Sequence, residues 1–127
     1  MIIFLPLSVQ VSSRKNFRIN LNEYRNAHFR TLNSAKIEFK RAVQDQINKI
    51  KGHFSNIKLT YKVFKNDKRS CDVANICSVA DKFFCDALVE SGKIKDDSYK
   101  YIKEIIYSWG GVDTENPRIE VVIEEVK

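Results

Sequence analysis

Apolar residues recur along this chain with two different periods, and the switches between them predict its elements. Residues 2–11 (IIFLPLSVQV) are rich in aliphatic and β-branched side chains and read as a first strand, with Pro6 inside it. Residues 12–33 (SSRKNFRINLNEYRNAHFRTLN) show no clear period and read as a long excursion. A segment of that length inside a compact domain is either functional or disordered, and its aromatic content argues against disorder. From Ser34 to Lys51, apolar residues at Ala35, Phe39, Ala42, Val43, Ile47 and Ile50 have helical spacing, and Gly52 supplies the stop. Residues 57–64 alternate, with Ile57, Leu59, Tyr61 and Val63 on one face and Lys58, Thr60 and Lys62 on the other.

A second helix is predicted from Val73 to Ser91 and ended by Gly92. Alternation resumes over 99–109, through Tyr101, Ile105, Tyr107 and Trp109, and again from Arg118 to Glu125. The intervening GGVDTENP has turn chemistry, so the last two strands are expected to pair as an antiparallel hairpin. The order β-α-β-α-β-β predicts an α+β fold, a single domain over 1–127 with two helices packed on a mixed or antiparallel sheet.

Composition changes this picture in three respects. The chain is long enough, at 127 residues, to bury a core without disulfide or metal staples. Its formal net charge of +6 favours an anionic partner, nucleic acid first and an acidic membrane surface second. Cys71, Cys77 and Cys85 lack CxxC spacing and cannot all pair with one another, which suggests a reducing compartment and argues against a zinc site. His28 and His53 show no metal-ligand spacing either. The N-terminal apolar run is too short to span a bilayer, has no basic segment before it and no small-residue cleavage site after it, so a soluble, non-secreted protein with no membrane span is expected.

The chemistry concentrates around the second helix. At about 100° per residue, Val79, Lys82 and Asp86 fall within roughly 40° of Asn75. Ile76, Ala80, Phe83, Phe84 and Ala87 gather on another face. Asp72 lies at the helix start, where it either caps the first turn or contributes to a site. Asp96 and Asp97 follow the helix, as site residues or as plain turn residues. Asp81 points some 120° from the Lys82 stripe and reads as a surface or supporting residue.

This segment resembles the RusA family of Holliday-junction resolvases. Lys68-Arg69 lead to Asp72-Val73-Ala74-Asn75, in place of the family's arginine-rich approach to Asp-x-Asp-Asn. Lys82 precedes Asp86-Ala87-Leu88 by the family's spacing, and Gly92 and Asp96-Asp97 complete the order. Two departures stand out: Ala74 replaces the second acid, and the interval from Asn75 to Asp86 is longer by about one helical turn.

The resemblance implies phosphodiester hydrolysis in branched DNA by a homodimer in the cytoplasm, that of a bacterial host if the protein is phage-encoded. It implies Mg²⁺, with Mn²⁺ as a substitute, bound by Asp72 and Asp97, with Asp96 or Asp86 completing or orienting the shell. Lys82 would stabilise charge on the phosphoryl group, with Asn75 and Asp81 in support. Arg14, Lys15, Arg18, Arg25, Arg30, Lys68 and Arg69 would contact DNA, and Tyr24, His28 and Phe29 would stack on unpaired bases or pin the excursion to the core. The rival expectations are a junction-binding protein that cleaves poorly for want of the acid at Ala74, and a small basic nucleic-acid-binding regulator.

Overall fold

The computed structural model describes residues 1–126. Its elements run β1 (Ile2–Leu5), β2 (Ser8–Ser12), β3 (Lys15–Arg18), α1 (Leu21–Asn26), α2 (Phe29–Asn48), β4 (Ile57–Lys65), α3 (Val73–Glu90), β5 (Ile102–Val112) and β6 (Arg118–Glu125). The fold is α+β. A four-stranded mixed sheet in the order β1-β6-β4-β5 is joined by a two-stranded antiparallel sheet of β2 and β3.

Strand β4 holds the centre of the larger sheet, pairing in parallel with β5 and antiparallel with β6. Its alternation explains this position: Ile57, Leu59, Tyr61 and Val63 are all fully buried beneath the helices. The segment β4-α3-β5 is a βαβ unit, with α3 as the crossover that parallel pairing requires. The helices α2 and α3 pack on one sheet face, where Ile3, Leu5, Ile119, Val121 and Ile123 complete the core. The opposite face carries Ile2 and Phe4, each about half exposed.

The expected β5–β6 hairpin does not form. Both strands flank β4, and the 113–117 segment crosses the end of that strand, where the Asp113 N–H donates to the Lys65 carbonyl at 2.7 Å. Alternation shows that a strand has one buried face but not which neighbour it takes, and the most uniformly buried strand claims the centre. Strand β5 also begins later than the 99–109 alternation suggests and runs through Gly110 and Gly111. Gly110 is an extra residue between two registers, since Val63 pairs with Trp109 and Phe64 with Gly111. A side chain there would meet the Phe64 ring at 2.6–2.8 Å.

The N-terminal third is also more ordered than its sequence pattern suggests. The predicted strand over 2–11 is two strands in different sheets, separated at Pro6, which cannot donate to a ladder. The supposed excursion contains the β2–β3 hairpin and α1, whose Asn20 side chain caps it by accepting the Glu23 N–H at 2.8 Å. Helix α2 starts at Phe29, ahead of the predicted Ser34, because His28 Nδ1 accepts the Arg30 N–H at 3.2 Å. Ala42 faces solvent, whereas Ala35, Phe39, Val43 and Ile47 are buried.

Candidate nucleic-acid interface along the third helix

Helix α3 begins at Asp72, whose extended backbone and carboxylate form the N-cap: Oδ1 accepts the Asn75 N–H at 3.3 Å. Its buried face is broader than the helical wheel suggests and includes Val79, Cys77 and Cys85 along with Ile76, Phe83, Phe84 and Leu88. Lys82 and Asp86 are exposed and Asn75 is half-buried, so the polar stripe survives but is narrower.

Phe83 is the anchor for the N-terminal region. Its ring lies 6.2 Å from Phe17 on β3, 6.2 Å from Tyr24 on α1 and 5.5 Å edge-on from Phe39 on α2. Tyr24 is thus a pin that seats α1 on α3, and the Lys82 ammonium stands 5.9 Å from its ring centre. Phe29, by contrast, is 70% exposed, stacked at 4.5 Å by His28 and with the Arg30 guanidinium 5.8 Å from its ring.

Among the acids, Asp86 feels the charge of Asp97. Burial is the main cause that raises the Asp86 pKa; Lys36 opposes it, Asp97 and Glu90 add to it, and Lys82 opposes it slightly. Asp97 is exposed, and so is Asp96, whose carboxyl is held below its ordinary range by hydrogen bonding from Ser98, including the Ser98 N–H at 2.8 Å. Asp72 does not join this group. The helical rise places it on the order of 20 Å along the axis from Asp86. Ala74, exposed in the first turn, brings no acid back to that end.

Asp81 turns toward the sheet. Its Oδ1 accepts the Tyr61 hydroxyl at 2.7 Å and the Cys85 thiol at 3.3 Å, and its Oδ2 is 3.4 Å from the Tyr107 hydroxyl. Burial and the Asp81 charge together push Tyr107 and Cys77 up to about 12, and Tyr61 and Cys85 are also raised. The alternation of β4 and β5 placed both tyrosines on the core face but could not show that they share one carboxylate.

No protein-family model and no curated protein matches this chain. The site therefore stands on its own residues.

The basic residues fall into two groups. Arg14 and Lys15 are exposed at the β2–β3 turn, Arg25 closes α1 and Arg30 opens α2. Arg18 belongs to the same region but is paired with Glu23 at 3.3 Å. Lys68 and Arg69 lie on the β4–α3 connection, with Arg69 paired to Asp67 at 3.3 Å. Among the described residues, no group of three or more His, Cys, Asp or Glu side chains is placed to hold a metal ion. Mg²⁺ commonly takes only one or two protein carboxylates and fills its octahedron with phosphate oxygens and water. Asp86 and Asp97 are both exposed carboxylates, and the charge of Asp97 is among those that raise the Asp86 pKa. Among the described residues, no helix is long and apolar enough to cross a membrane.

Proposed function

We propose that this protein is a Mg²⁺-dependent endodeoxyribonuclease that acts on branched DNA, four-way junctions in particular, as a homodimer. The reading rests on one arrangement: Asn75, Lys82 and Asp86 follow one another along the outer stripe of α3, with Asp97 within electrostatic reach of Asp86. The ordered resemblance to RusA-type resolvases over the same residues supplies the reaction class. The charge of +6 fits a polyanionic substrate.

In this reading Asp86 and Asp97 hold the cation, which supplies charge stabilisation at the phosphate and a more acidic bound water. Lys82, one helical turn before Asp86 on the same stripe, serves as a point cation for the phosphoryl oxygens. Tyr24, seated on Phe83, offers its ring face to the Lys82 ammonium 5.9 Å away. Arg14, Lys15, Arg25 and Arg30 hold flanking phosphates and set the register without reading bases. Two subunits would supply the paired cuts that a two-fold junction requires.

A second reading is favoured by the separation of Asp72 from Asp86 and by Ala74: a protein that binds junctions and cleaves them poorly. One experiment separates the two. A synthetic four-way junction is incubated with the protein and Mg²⁺, beside Asp97→Asn, Asp86→Asn and Asp72→Asn. The nuclease reading expects paired cuts by the parent protein, their loss in Asp97→Asn and Asp86→Asn, and retained junction binding in both. Binding without cleavage by the parent, in Mg²⁺ and in Mn²⁺, would overturn it in favour of the second reading.

A further inference from the structure

A crevice opens where the parallel strands β4 and β5 reach their carboxyl ends and α3 begins. It encloses about 360 Å³ and is lined by Lys68, Arg69, Cys71, Val73, Trp109 and Val112. A volume of that order suits a small organic group. Trp109 pairs with Val63, a core-face residue, so its indole is on the helix side of the sheet. It is nevertheless 45% exposed, because β5 is an edge strand with no outer neighbour among the described residues.

The local backbone holds this tryptophan in place. The bulge at Gly110 follows it directly, and the Phe64 ring fills the space a side chain there would need. Bulges of this kind redirect side chains at strand ends. Phe64 is itself fixed by the Arg118 guanidinium 4.2 Å from its ring centre, and Arg118 is paired with Asp113 at 2.7 Å. Trp109 is thus an open aromatic surface on a braced strand end.

An exposed indole flanked by valines and by two cations is a poor match for a basic partner. It matches a group with a flat π-face next to a negative charge. Indole–base stacking contributes about 1–3 kcal/mol per base and tolerates any sequence. Among the described residues, Lys68 has no carboxylate within ion-pair distance, and Asp67 orients the Arg69 guanidinium without burying it.

We infer that this crevice binds one unpaired nucleotide of a DNA strand, its base stacked on Trp109 and its phosphate held by Lys68 and Arg69. The inference rests on the proposed DNA substrate and extends it, because a base inside a regular duplex cannot present its face to the indole. The protein would then select DNA that is open or openable at the branch.

Trp109 is the single tryptophan of the chain, so its intrinsic fluorescence reports on this crevice alone. The full-length protein is titrated in EDTA, which prevents Mg²⁺-dependent cleavage, with a short oligothymidylate, a blunt duplex and inorganic polyphosphate. The expected result is saturable quenching by oligothymidylate, with much less from duplex or polyphosphate. In anisotropy titrations with a labelled oligothymidylate, Trp109→Ala should weaken binding roughly 5- to 100-fold. Trp109→Phe should recover part of that loss, with circular dichroism confirming that both variants fold. Lys68→Ala and Arg69→Ala should each weaken binding and flatten its salt dependence.

Equal quenching by polyphosphate or duplex would overturn the inference, and so would unchanged oligothymidylate binding in Trp109→Ala. A spectrum that shifts with protein concentration alone would assign the crevice to a second copy of the chain and overturn it too. The two readings fail separately. Quenching without junction cleavage removes the nuclease and leaves the crevice, whereas cleavage without quenching removes the crevice only.

Discussion

Asp86 carries the most informative electrostatics of the exposed helix stripe. Its carboxyl is raised chiefly by burial, with Asp97 and Glu90 adding to the rise and Lys36 and Lys82 opposing it. A folded-state pKa above the unfolded value means that its stabilising contribution is present below the unfolded pKa and lost as pH rises through the folded one. The ionised carboxylate at pH 7 is therefore a cost to stability that a bound cation would relieve. Asp86→Asn should melt at the same or a higher temperature than the parent at pH 7, with the gap closing as pH falls into the carboxyl range. Thermal melts across pH check this, and a lower melting temperature at pH 7 would contradict it. Asp81 is the opposite case, since removing it leaves the hydroxyl of fully buried Tyr61 without its acceptor. Asp81→Ala should cost about 1–3 kcal/mol in denaturant unfolding. The Tyr107 ionisation midpoint should fall from about 12 part of the way toward its ordinary value, as read by ultraviolet titration.

At the scale of elements, Phe83 joins pieces far apart in sequence. Its contacts with Phe17, Tyr24 and Phe39 place β3, α1 and α2 around one ring. Phe83→Ala should cost about 3–5 kcal/mol. It should also speed hydrogen exchange selectively over β2, β3 and α1, and uniform acceleration across the whole sheet would count against this anchoring role. The inward direction of Phe83 was legible in the sequence, because helical spacing alone separates it from Lys82 and Asp86. The elements it anchors were not. The β2–β3 strands are only four or five residues long and α1 only six, too short for a period to register. The first turn of α2 was hidden for a related reason: Phe29 and Arg30 are exposed, only Leu32 packs partly against the core, and the start depends on a histidine cap.

For the whole molecule, the excess positive charge is the feature with the plainest consequence. On the proposed DNA-binding function, junction affinity should fall steeply with salt, with a log–log slope of about 0.9 per phosphate neutralised. Replacing Arg14, Lys15, Arg25 and Arg30 together by alanine should lower that slope by about 3 to 4 and leave the melting temperature nearly unchanged. Arg18 is kept out of this set so that its ion pair with Glu23 at the start of α1 is left intact. A slope unchanged by the quadruple replacement would place the DNA elsewhere on the surface.

The amino-acid sequence by itself determined the local facts: that β4 is a half-buried strand, that α3 buries Phe83 and Phe84, and that Lys82 and Asp86 look outward. Each follows from a period of two or 3.6 residues, which any short window contains. Tertiary structure alone decided that β4 lies between β5 and β6, that Asp81 serves two tyrosines of the sheet, and that the charge of Asp97 acts on Asp86 while Asp72 remains at the far end of the helix. It alone brought Trp109 beside Lys68 and Arg69. These depend on strand order and on where a crossover helix lands. Contacts between residues tens of positions apart set both, and no local period records them.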